Sequence, residues 1–288
     1  MIDKNLRNEL NIQLSDNIDS SFNIIGVKPI DGGDINQSYK ISDMSRSYFL
    51  KINKCRYHDM FEAEREALIE INNKCVIKVP KVICAGVYKE HAYIIMEFIE
   101  LSNVGSWNDC GRKLAMMHKS FGSRFGWHRD NTIGLTPQFN KLSKCWISFY
   151  NNQRLKYQFE IAEKSGLKLK GADVLLKNID NFFVEYDPKP SLLHGDLWSG
   201  NISFDRLGNP VLYDPALYYG DRECDIAMTE LFGSFPIEFY DAYNKEWPLD
   251  IGYKRRKVLY QLYHVLNHYN MFRGSYGAQA ENMISFLI

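Results

Sequence analysis

The sequence SLLHGDLWSGNISFD spans residues 191–205 and joins a short apolar run to a polar loop. Asp196 follows His194 and Gly195 in this loop, and Asn201 comes five residues later. Transfer of a phosphoryl group from ATP needs a carboxylate that orients the acceptor hydroxyl and accepts its proton, together with hard oxygen ligands for magnesium. Asp196 is our candidate for this carboxylate, and Asn201 is a candidate magnesium ligand. The competing interpretation is an ordinary polar turn.

Two apolar segments after this loop predict a β-hairpin. The segments ISF and VLYD flank the turn sequence RLGN, which is typical of a hairpin connection. A turn centred on Leu207 and Gly208 places Asn201 directly opposite Asp214. We therefore predict that the amide and the carboxylate lie side by side and that Asp214 is the second magnesium ligand.

Composition limits the class of protein and its partners. The chain has 288 residues, of which 45% are hydrophobic, so it can form one large domain or two lobes around a cleft. Thirty-five basic residues balance 35 acidic ones, which favours a small-molecule partner over nucleic acid or a membrane. The six cysteines form no CxxC pair, and the amino terminus has no apolar signal segment. We expect a cytoplasmic protein without a disulfide framework.

The sequence pattern changes near residue 100. Residues 1–20 carry leucines at helical spacing and predict a helix. Strand-like segments follow, interrupted by the amphipathic segment FEAEREALIEI, whereas the chain beyond Asn108 has mainly helical patterns. We predict an α+β protein with an antiparallel sheet in residues 1–99 and a mainly helical part in residues 100–288. The predicted strand segments are FNIIGVKPI, INQSYKIS, SYFLKIN, VIKVPKVICAGVY and HAYIIMEFI.

The sheet-rich part also contains candidates for binding the phosphates of ATP. Lys51 lies in the third strand, and Glu64 begins the next helix with a spacing that points it back toward the sheet. An ion pair between them would anchor the phosphates, and a solvated pair is the alternative. Gly32 and Gly33, between the first two strands, would let backbone amides approach phosphate oxygens.

The segment MEFI, where the two parts of the chain meet, is the candidate for adenine binding. It would offer the carbonyl of Glu97 and the amide of Ile99 to the base, and a buried edge strand is the alternative. Neither GxxxxGK[ST] nor GxGxxG occurs in the sequence, which argues against a P-loop NTPase or a Rossmann fold.

Taken together, these segments resemble the kinase-like fold of small-molecule kinases such as aminoglycoside phosphotransferases and choline kinases. Within that fold the sequence is similar to the fructosamine kinase, or ketosamine-3-kinase, family from about residue 21 to the carboxyl terminus. The most specific shared segment is LLHGDLWSGN. Others are GGDIN, YFLKIN, MFEAEREAL, FGWHRDNTIGLTPQ and DPALYYGDRECDIAM.

The resemblance implies a bilobal protein-kinase-like fold that binds ATP and Mg²⁺. It also implies phosphorylation of the sugar 3-hydroxyl of a ketoamine, either a small molecule or a glycated lysine. Matched residue by residue, the family pattern makes Asp196 the catalytic base, Asn201 and Asp214 the magnesium ligands, and Lys51 with Glu64 the phosphate-anchoring pair.

The resemblance also suggests residues that contact the substrate. Trp198 has a broad ring suited to line a sugar-sized pocket. Acidic residues also follow Asp214 closely in the sequence, and such groups could attract the cationic amine of a glycated lysine. For Asp225 we favour a bracing role on the catalytic loop through hydrogen bonds, and the role of Asp221 and Glu223, both candidates for the substrate, stays open.

His264 and His268 lie four residues apart on a predicted helix. Neighbouring Leu and Tyr residues favour packing or lining of the substrate pocket over metal binding. We include His264 among the substrate candidates.

Two other functions compete with ketoamine phosphorylation. One is a kinase of another small alcohol, such as an aminoglycoside or an amino alcohol. The other is a nucleotide-binding module without catalytic activity, which the complete set of candidate catalytic residues disfavours.

Overall fold

The structure is a computed structural model that describes residues 2–31 and 35–288. Its strands are β1 (Gly26–Ile30), β2 (Gln37–Ser42), β3 (Ser47–Lys54), β4 (Val82–Tyr88), β5 (His91–Glu97), β6 (Asn131–Ile133), β7 (Thr136–Gln138), β8 (Ser191–Leu193), β9 (Ile202–Phe204), β10 (Pro210–Leu212) and β11 (Tyr218–Gly220). Its α-helices are α1 (Lys4–Asn17), α2 (His58–Lys74), α3 (Trp107–His118), α4 (Trp146–Tyr150), α5 (Lys156–Lys164), α6 (Ala172–Lys177), α7 (Glu223–Thr229), α8 (Ile237–Glu246), α9 (Tyr253–Phe272) and α10 (Tyr276–Leu287).

A five-stranded sheet forms the amino-terminal part of the molecule. Its strand order is β1-β2-β3-β5-β4, and every neighbouring pair is antiparallel. Helix α2 connects β3 to β4. The predicted antiparallel sheet with one inserted helix is therefore confirmed, although β1 and β4 begin later than their apolar runs.

The two faces of this sheet pack against different helices. Leu50 and Ile52 of β3 point to one face and pack with the buried leucines of α1. Successive side chains of a strand point to opposite faces, so Lys51 lies on the other face. Its pairing partner Ile94 belongs to the core that α2 shares with the rest of the protein. Strand alternation thus directs Lys51 toward α2.

The rest of the chain is mainly helical, with α3 packed on α8 and α9 packed on α5, α7 and α10. Three two-stranded sheets, β6-β7, β8-β11 and β9-β10, interrupt the helices. The loops that join these strands carry the polar side chains of the site. No helix in the described ranges is long and apolar enough to cross a membrane. The division of the chain at residues 99 and 100 stays a prediction.

The hairpin β9-β10 forms as predicted, but its register is wrong by one residue. The main chain of Asn201 lies opposite Tyr213 rather than Asp214, and the amide of Tyr213 donates to the carbonyl of Asn201 at 3.2 Å. The carbonyl of Asp205 accepts from the amide of Gly208 at 2.8 Å, and its carboxylate binds further amides of the turn. The Asp205 side chain thus shapes the connection between the two strands. The predicted two-residue turn did not take these hydrogen bonds into account.

Candidate active site

The loop between β8 and β9 carries Asp196 and has a tightly fixed backbone. Gly195 has a φ of +84°, and a Cβ at this position would lie 2.1 Å from the carbonyl oxygen of Ala216. Only glycine fits this combination of backbone angle and close approach. Asp225 of α7 accepts hydrogen bonds from the amides of His194 at 2.7 Å and Gly195 at 2.9 Å, which is the bracing role predicted for it.

Asp225 belongs to a buried series of hydrogen-bonded side chains. The Nε2 atom of His118 lies 3.1 Å from Asp225, and its Nδ1 atom lies 2.8 Å from the hydroxyl of Tyr243. Burial alone would raise the pKa of Asp225, but the hydrogen bond and charge of His118 and the amide of Gly195 lower it below its ordinary value. The brace is therefore a carboxylate, and both of its oxygens accept hydrogen bonds.

Asp196 is held by Asn201 of the same loop. The side-chain nitrogen of Asn201 donates to the main-chain carbonyl of Asp196 at 2.8 Å and to the carboxylate of Asp196 at 3.2 Å. Burial, and then the charge of Asp214, raise the pKa of Asp196 to about 7. A carboxylate with a raised pKa is a stronger proton acceptor, which suits the function predicted for this residue.

Lys51 joins the sheet to the helical part of the chain. Its Nζ atom lies 2.6 Å from Glu64 of α2 and 2.5 Å from Asp214. Burial alone would lower the pKa of Lys51, but the two carboxylates raise it, so the side chain stays a cation. The predicted contact between Lys51 and Glu64 is present, and the contact with Asp214 is an additional one.

The backbone of Asp214 is held in the left-handed region. Its φ is +57°, which costs free energy for a residue with a Cβ and therefore needs support from its surroundings. Gln138 donates to the carbonyl of Ala216 at 3.0 Å, and Asn131 donates to the carbonyl of Leu217 at 2.8 Å. These two buried amides fix the segment that follows Asp214.

The donor atoms at this point fit a magnesium ion. Asn201 uses its nitrogen for Asp196, and within the described residues no group donates to its Oδ1 atom. Asp214 lines the cavity, is 44% exposed at its side chain and uses Oδ1 for Lys51, while its Oδ2 atom has no hydrogen-bond partner among the described residues. An amide oxygen and a carboxylate oxygen are ligands that Mg²⁺ prefers, with water and phosphate oxygens completing its coordination.

These residues face a cavity of about 770 Å³. Lys51, Glu64, Asp196, Asn201 and Asp214 all line it. The same cavity is also lined by aromatic and aliphatic side chains, which we call the apolar wall: Ile133, Trp198, Phe232, His268, Met271, Phe272 and Tyr276. The cavity therefore has a charged side suited to phosphates and an apolar side suited to an organic acceptor.

Other predicted binding residues do not line this cavity. Glu97 ends β5, and its amide donates to the carbonyl of Lys81 at 2.8 Å. Neither it nor Ile99 reaches the cavity wall, so adenine contact there stays a prediction. Gly32 and Gly33 lie outside the described residues.

The substrate roles suggested for Asp221 and Glu223 need correction. Both side chains are buried away from the cavity. Asp221 accepts hydrogen bonds from two tyrosine hydroxyls, and Glu223 forms an ion pair with Arg256 at 2.7 Å. Because these partners already neutralise or satisfy the carboxylates, neither is available to a substrate amine.

Among the remaining substrate candidates, Trp198 lines the cavity and His264 does not. His264 is buried, its pKa is lowered to about 3 by burial and by His268, and its Nδ1 atom has no hydrogen-bond partner among the described residues. His268, one helical turn further along α9, lines the cavity instead. The choice between the two histidines depended on the rotation of α9, which spacing alone does not give.

The sequence pattern missed most of the apolar wall and the support of the Asp214 segment. Phe232 precedes α8, and Phe272 and Tyr276 lie at the junction of α9 and α10. Ordinary core residues have the same types and spacing. The segment containing Asn131 resembles the sequences of a family, but no spacing rule connects it to Asp214.

Comparisons with known proteins extend this picture along the whole chain. The family model described as fructosamine kinase matches residues 6–288. A Synechocystis protein named "Probable ketoamine kinase" is 42% identical over 275 residues, covering 94% of this chain and 93% of that protein. The chloroplastic protein-ribulosamine 3-kinase of Arabidopsis thaliana is 41% identical over 269 residues, covering 91% of this chain and 82% of that protein.

Solved structures have the same fold. The crystal structure named "Putative fructosamine-3-kinase" from Haemophilus somnus 129PT superimposes with a TM-score of 0.91 and 30% identity, covering 97% of this chain and 96% of that chain. The aminoglycoside phosphotransferase APH(2″)-IIa, in its gentamicin complex, has a TM-score of 0.65 and 18% identity, covering 99% of this chain and 96% of that one. The second likeness shows the bilobal kinase-like fold alone. With the family match and the relatives, these likenesses show that the chain belongs to the fructosamine kinase family of phosphotransferases.

Proposed function

We propose that this protein transfers the γ-phosphoryl group of ATP to the sugar 3-hydroxyl of a ketoamine, the adduct of a sugar and an amine. The observation that carries the proposal is the Lys51 ammonium between Glu64 and Asp214, on the same cavity as Asp196 and Asn201. This arrangement offers a fixed cation, oxygen ligands and a proton acceptor within one space. The names of the relatives support a ketoamine as the acceptor.

Each residue then has a chemical role. Asp196 orients the 3-hydroxyl and accepts its proton as the oxygen attacks the γ-phosphorus, and ADP leaves with the electrons of the broken P–O bond. Lys51 binds the nonreacting phosphates, and Glu64 holds its ammonium in place. Asn201 and Asp214 would hold Mg²⁺, which neutralises phosphate charge when bound. Catalysis rests on positioning and on charge neutralisation.

The apolar wall of the cavity would receive the acceptor. Trp198 is 38% exposed and offers a flat face for the sugar, together with one indole donor. A Cβ on Gly200 would lie 2.3 Å from the Trp198 ring, so glycine at this position lets the ring lie over the loop. A small ketoamine or the glycated side chain of a lysine would enter along this wall.

Turnover with two acceptors tests the proposal. ADP release would be measured with fructosyl-lysine and ribulosyl-lysine in the presence of Mg²⁺ and ATP, and mass spectrometry would locate the phosphoryl group. We expect phosphorylation at the sugar 3-hydroxyl and a rate about 10²- to 10⁴-fold lower in Asp196→Asn, because the proton acceptor is lost.

Two results would contradict the proposal. Turnover of an amino alcohol or an aminoglycoside in place of both ketoamines would indicate a different acceptor class. ATP binding without turnover of any acceptor would favour a nucleotide-binding module. The family match and the named relatives make us expect neither result.

A further inference from the structure

Helix α2 has a second charged face besides the one that presents Glu64 to Lys51. Glu66, Glu70 and Lys74 are spaced four residues apart and so lie along one side of the helix. Glu70, the central residue of this side, is turned about 120° from Glu64 around the helix axis, as expected from 3.6 residues per turn. This side faces the loop that leads into β6 and the strand β11.

Glu70 makes the central contact of this second face. Its Oε2 atom accepts from the indole nitrogen of Trp127 at 2.8 Å, and its Oε1 atom accepts from the hydroxyl of Tyr219 at 2.7 Å. Lys74 donates to the same tyrosine oxygen at 2.5 Å. Trp127 and Tyr219 are buried, so both donors are fixed by the packing of the helical part of the chain.

Glu66 makes a second contact one turn earlier. Its carboxylate accepts from Arg129 at 2.7 Å and lies 2.5 Å from the Nε2 atom of His128. Arg129 also reaches the carbonyl of Asp59, in the first turn of α2, at 3.4 Å. The segment containing residues 127–129 therefore binds α2 at three successive levels along its length.

We propose that Trp127, Arg129 and Tyr219 are positioning residues that dock α2 permanently and thereby keep Glu64 on Lys51. The inference rests on the proposed function, because it assumes that the Lys51 ammonium binds the phosphates of ATP. In protein kinases the corresponding lysine–glutamate pair is made and broken as this helix moves. Here the docking contacts come from the helical lobe itself, so the nucleotide site is assembled without an activating event.

The geometry makes the coupling between docking and nucleotide binding direct. Glu64 and Glu70 are six residues apart, or about 9 Å along the axis of a rigid helix. Loss of the bonds to Glu70 lets the carboxyl half of α2 move away from β11. Because a helix moves as a unit, this displaces Glu64 from Lys51 and leaves the ammonium with Asp214 alone.

Equilibrium binding of Mg·ATP to purified variants tests the proposal without using an acceptor. Tyr219→Phe and Trp127→Phe each remove one donor and keep an aromatic ring, and the double variant removes both. We expect the double variant to bind ATP about tenfold more weakly, because only part of the free energy of the two lost hydrogen bonds to Glu70 is transmitted to the nucleotide site. In a separate steady-state assay, the KM of the acceptor should stay unchanged, because the apolar wall is not part of the docking contacts.

Glu62→Gln is the matched control on the same helix. Glu62 pairs with Arg65 of α2 at 2.8 Å, so its loss changes the charge of the helix and removes none of the hydrogen bonds to Trp127, Arg129 and Tyr219. We expect its ATP affinity to equal that of the unaltered protein. If Glu62→Gln binds ATP as weakly as the double variant does, the proposal is overturned, because the charge of the helix rather than its docking would then govern ATP binding.

A double-mutant cycle with Glu64→Gln separates positioning from general stability. If docking acts through Glu64, the double substitution at Trp127 and Tyr219 should weaken ATP binding less than about twofold further in the Glu64→Gln background. Full additivity, or a lower melting temperature with unchanged ATP affinity, would overturn the proposal. If the unaltered protein binds ATP normally but does not phosphorylate ketoamines, the proposed function is contradicted. The ATP-binding measurements on the variants still decide the docking proposal in that case.

Discussion

Asp225→Asn should weaken both the stability of the protein and the geometry of its catalytic loop. The carboxylate accepts hydrogen bonds from the amides of His194 and Gly195 and from His118. An asparagine keeps one acceptor oxygen and replaces the other with an NH₂ group. Whichever way the amide is oriented, at least one buried N–H of the loop then faces another donor.

The size of this effect follows from burial. Asp225 is 1% exposed, so a displaced donor has no water to replace its partner, and each unsatisfied buried group costs about 1–3 kcal/mol. The amide orientation that keeps His194 and His118 sacrifices Gly195, whereas the other sacrifices two bonds. Allowing for the lost charge, we expect destabilisation of roughly 2–4 kcal/mol, or a melting temperature lower by roughly 3–7 °C for a chain of this length.

Asp225→Asn should also lower the catalytic rate at an assay temperature at which the variant is still folded. Asp196 follows Gly195 directly, and a displacement of about 1 Å at a reacting group lowers a rate by about 100-fold. We therefore expect a kcat about 100-fold lower with a KM for ATP close to that of the unaltered protein, because Lys51 is held by other residues. Calorimetric melting and steady-state kinetics on the same preparations measure both quantities.

Tyr243→Phe is the control for this prediction. It removes the hydroxyl that contacts His118 and leaves every bond to Asp225 in place, so its kcat should stay within about threefold of normal. An Asp225→Asn protein with unchanged melting temperature and unchanged kcat would refute the reasoning. It would mean that the loop holds its conformation without the carboxylate.

Three further substitutions test other parts of the site. Gly195→Ala should destabilise the protein by at least about 3 kcal/mol, measured by denaturant unfolding, because a Cβ would meet the carbonyl of Ala216 at 2.1 Å in a left-handed backbone. Lys51→Met should lower kcat/KM for ATP by about 10²- to 10³-fold in steady-state kinetics, because the two carboxylates that it bridges then repel phosphate. His264 has a pKa of about 3 in the folded protein and about 6.5 when unfolded, so between these values the unfolded chain binds the extra proton and stability rises with pH. His264→Gln should therefore reduce the slope of unfolding free energy between pH 4 and 6 by about 1.4 kcal/mol per pH unit, and His91→Gln is the control.

The contact between Lys51 and Glu64 could be predicted because two periodic patterns specify it. Strand alternation places Lys51 on the other face of the sheet from Leu50 and Ile52, and helical spacing turns Glu64 toward the sheet. Both rules act over a few residues and need no knowledge of the rest of the fold. The loop containing Asp196 was similarly accessible, because its glycine and its flanking apolar run lie next to it in the sequence.

The acidic residues after Asp214 show where such reasoning stops. Asp221 and Glu223 look like free carboxylates beside a cationic substrate, but their partners come from a helix distant in the sequence. Tyr260 and Arg256 of α9 reach them across the core. Whether a carboxylate is free or already paired depends on contacts between residues more than 30 positions apart, which no local pattern records.

The observed register of the hairpin does not by itself bring Asp214 to the cavity. A shift of one residue turns every side chain of a paired strand to the opposite face, so strand pairing alone would direct Asp214 away from its predicted neighbour. However, β10 ends at Leu212, and Asp214 has a φ of +57°. This left-handed backbone turns the carboxylate toward Lys51, and the buried amides of Asn131 and Gln138 hold the segment that follows. The two candidate magnesium ligands thus share the cavity because of a strained residue beyond the hairpin, which pairing rules do not describe.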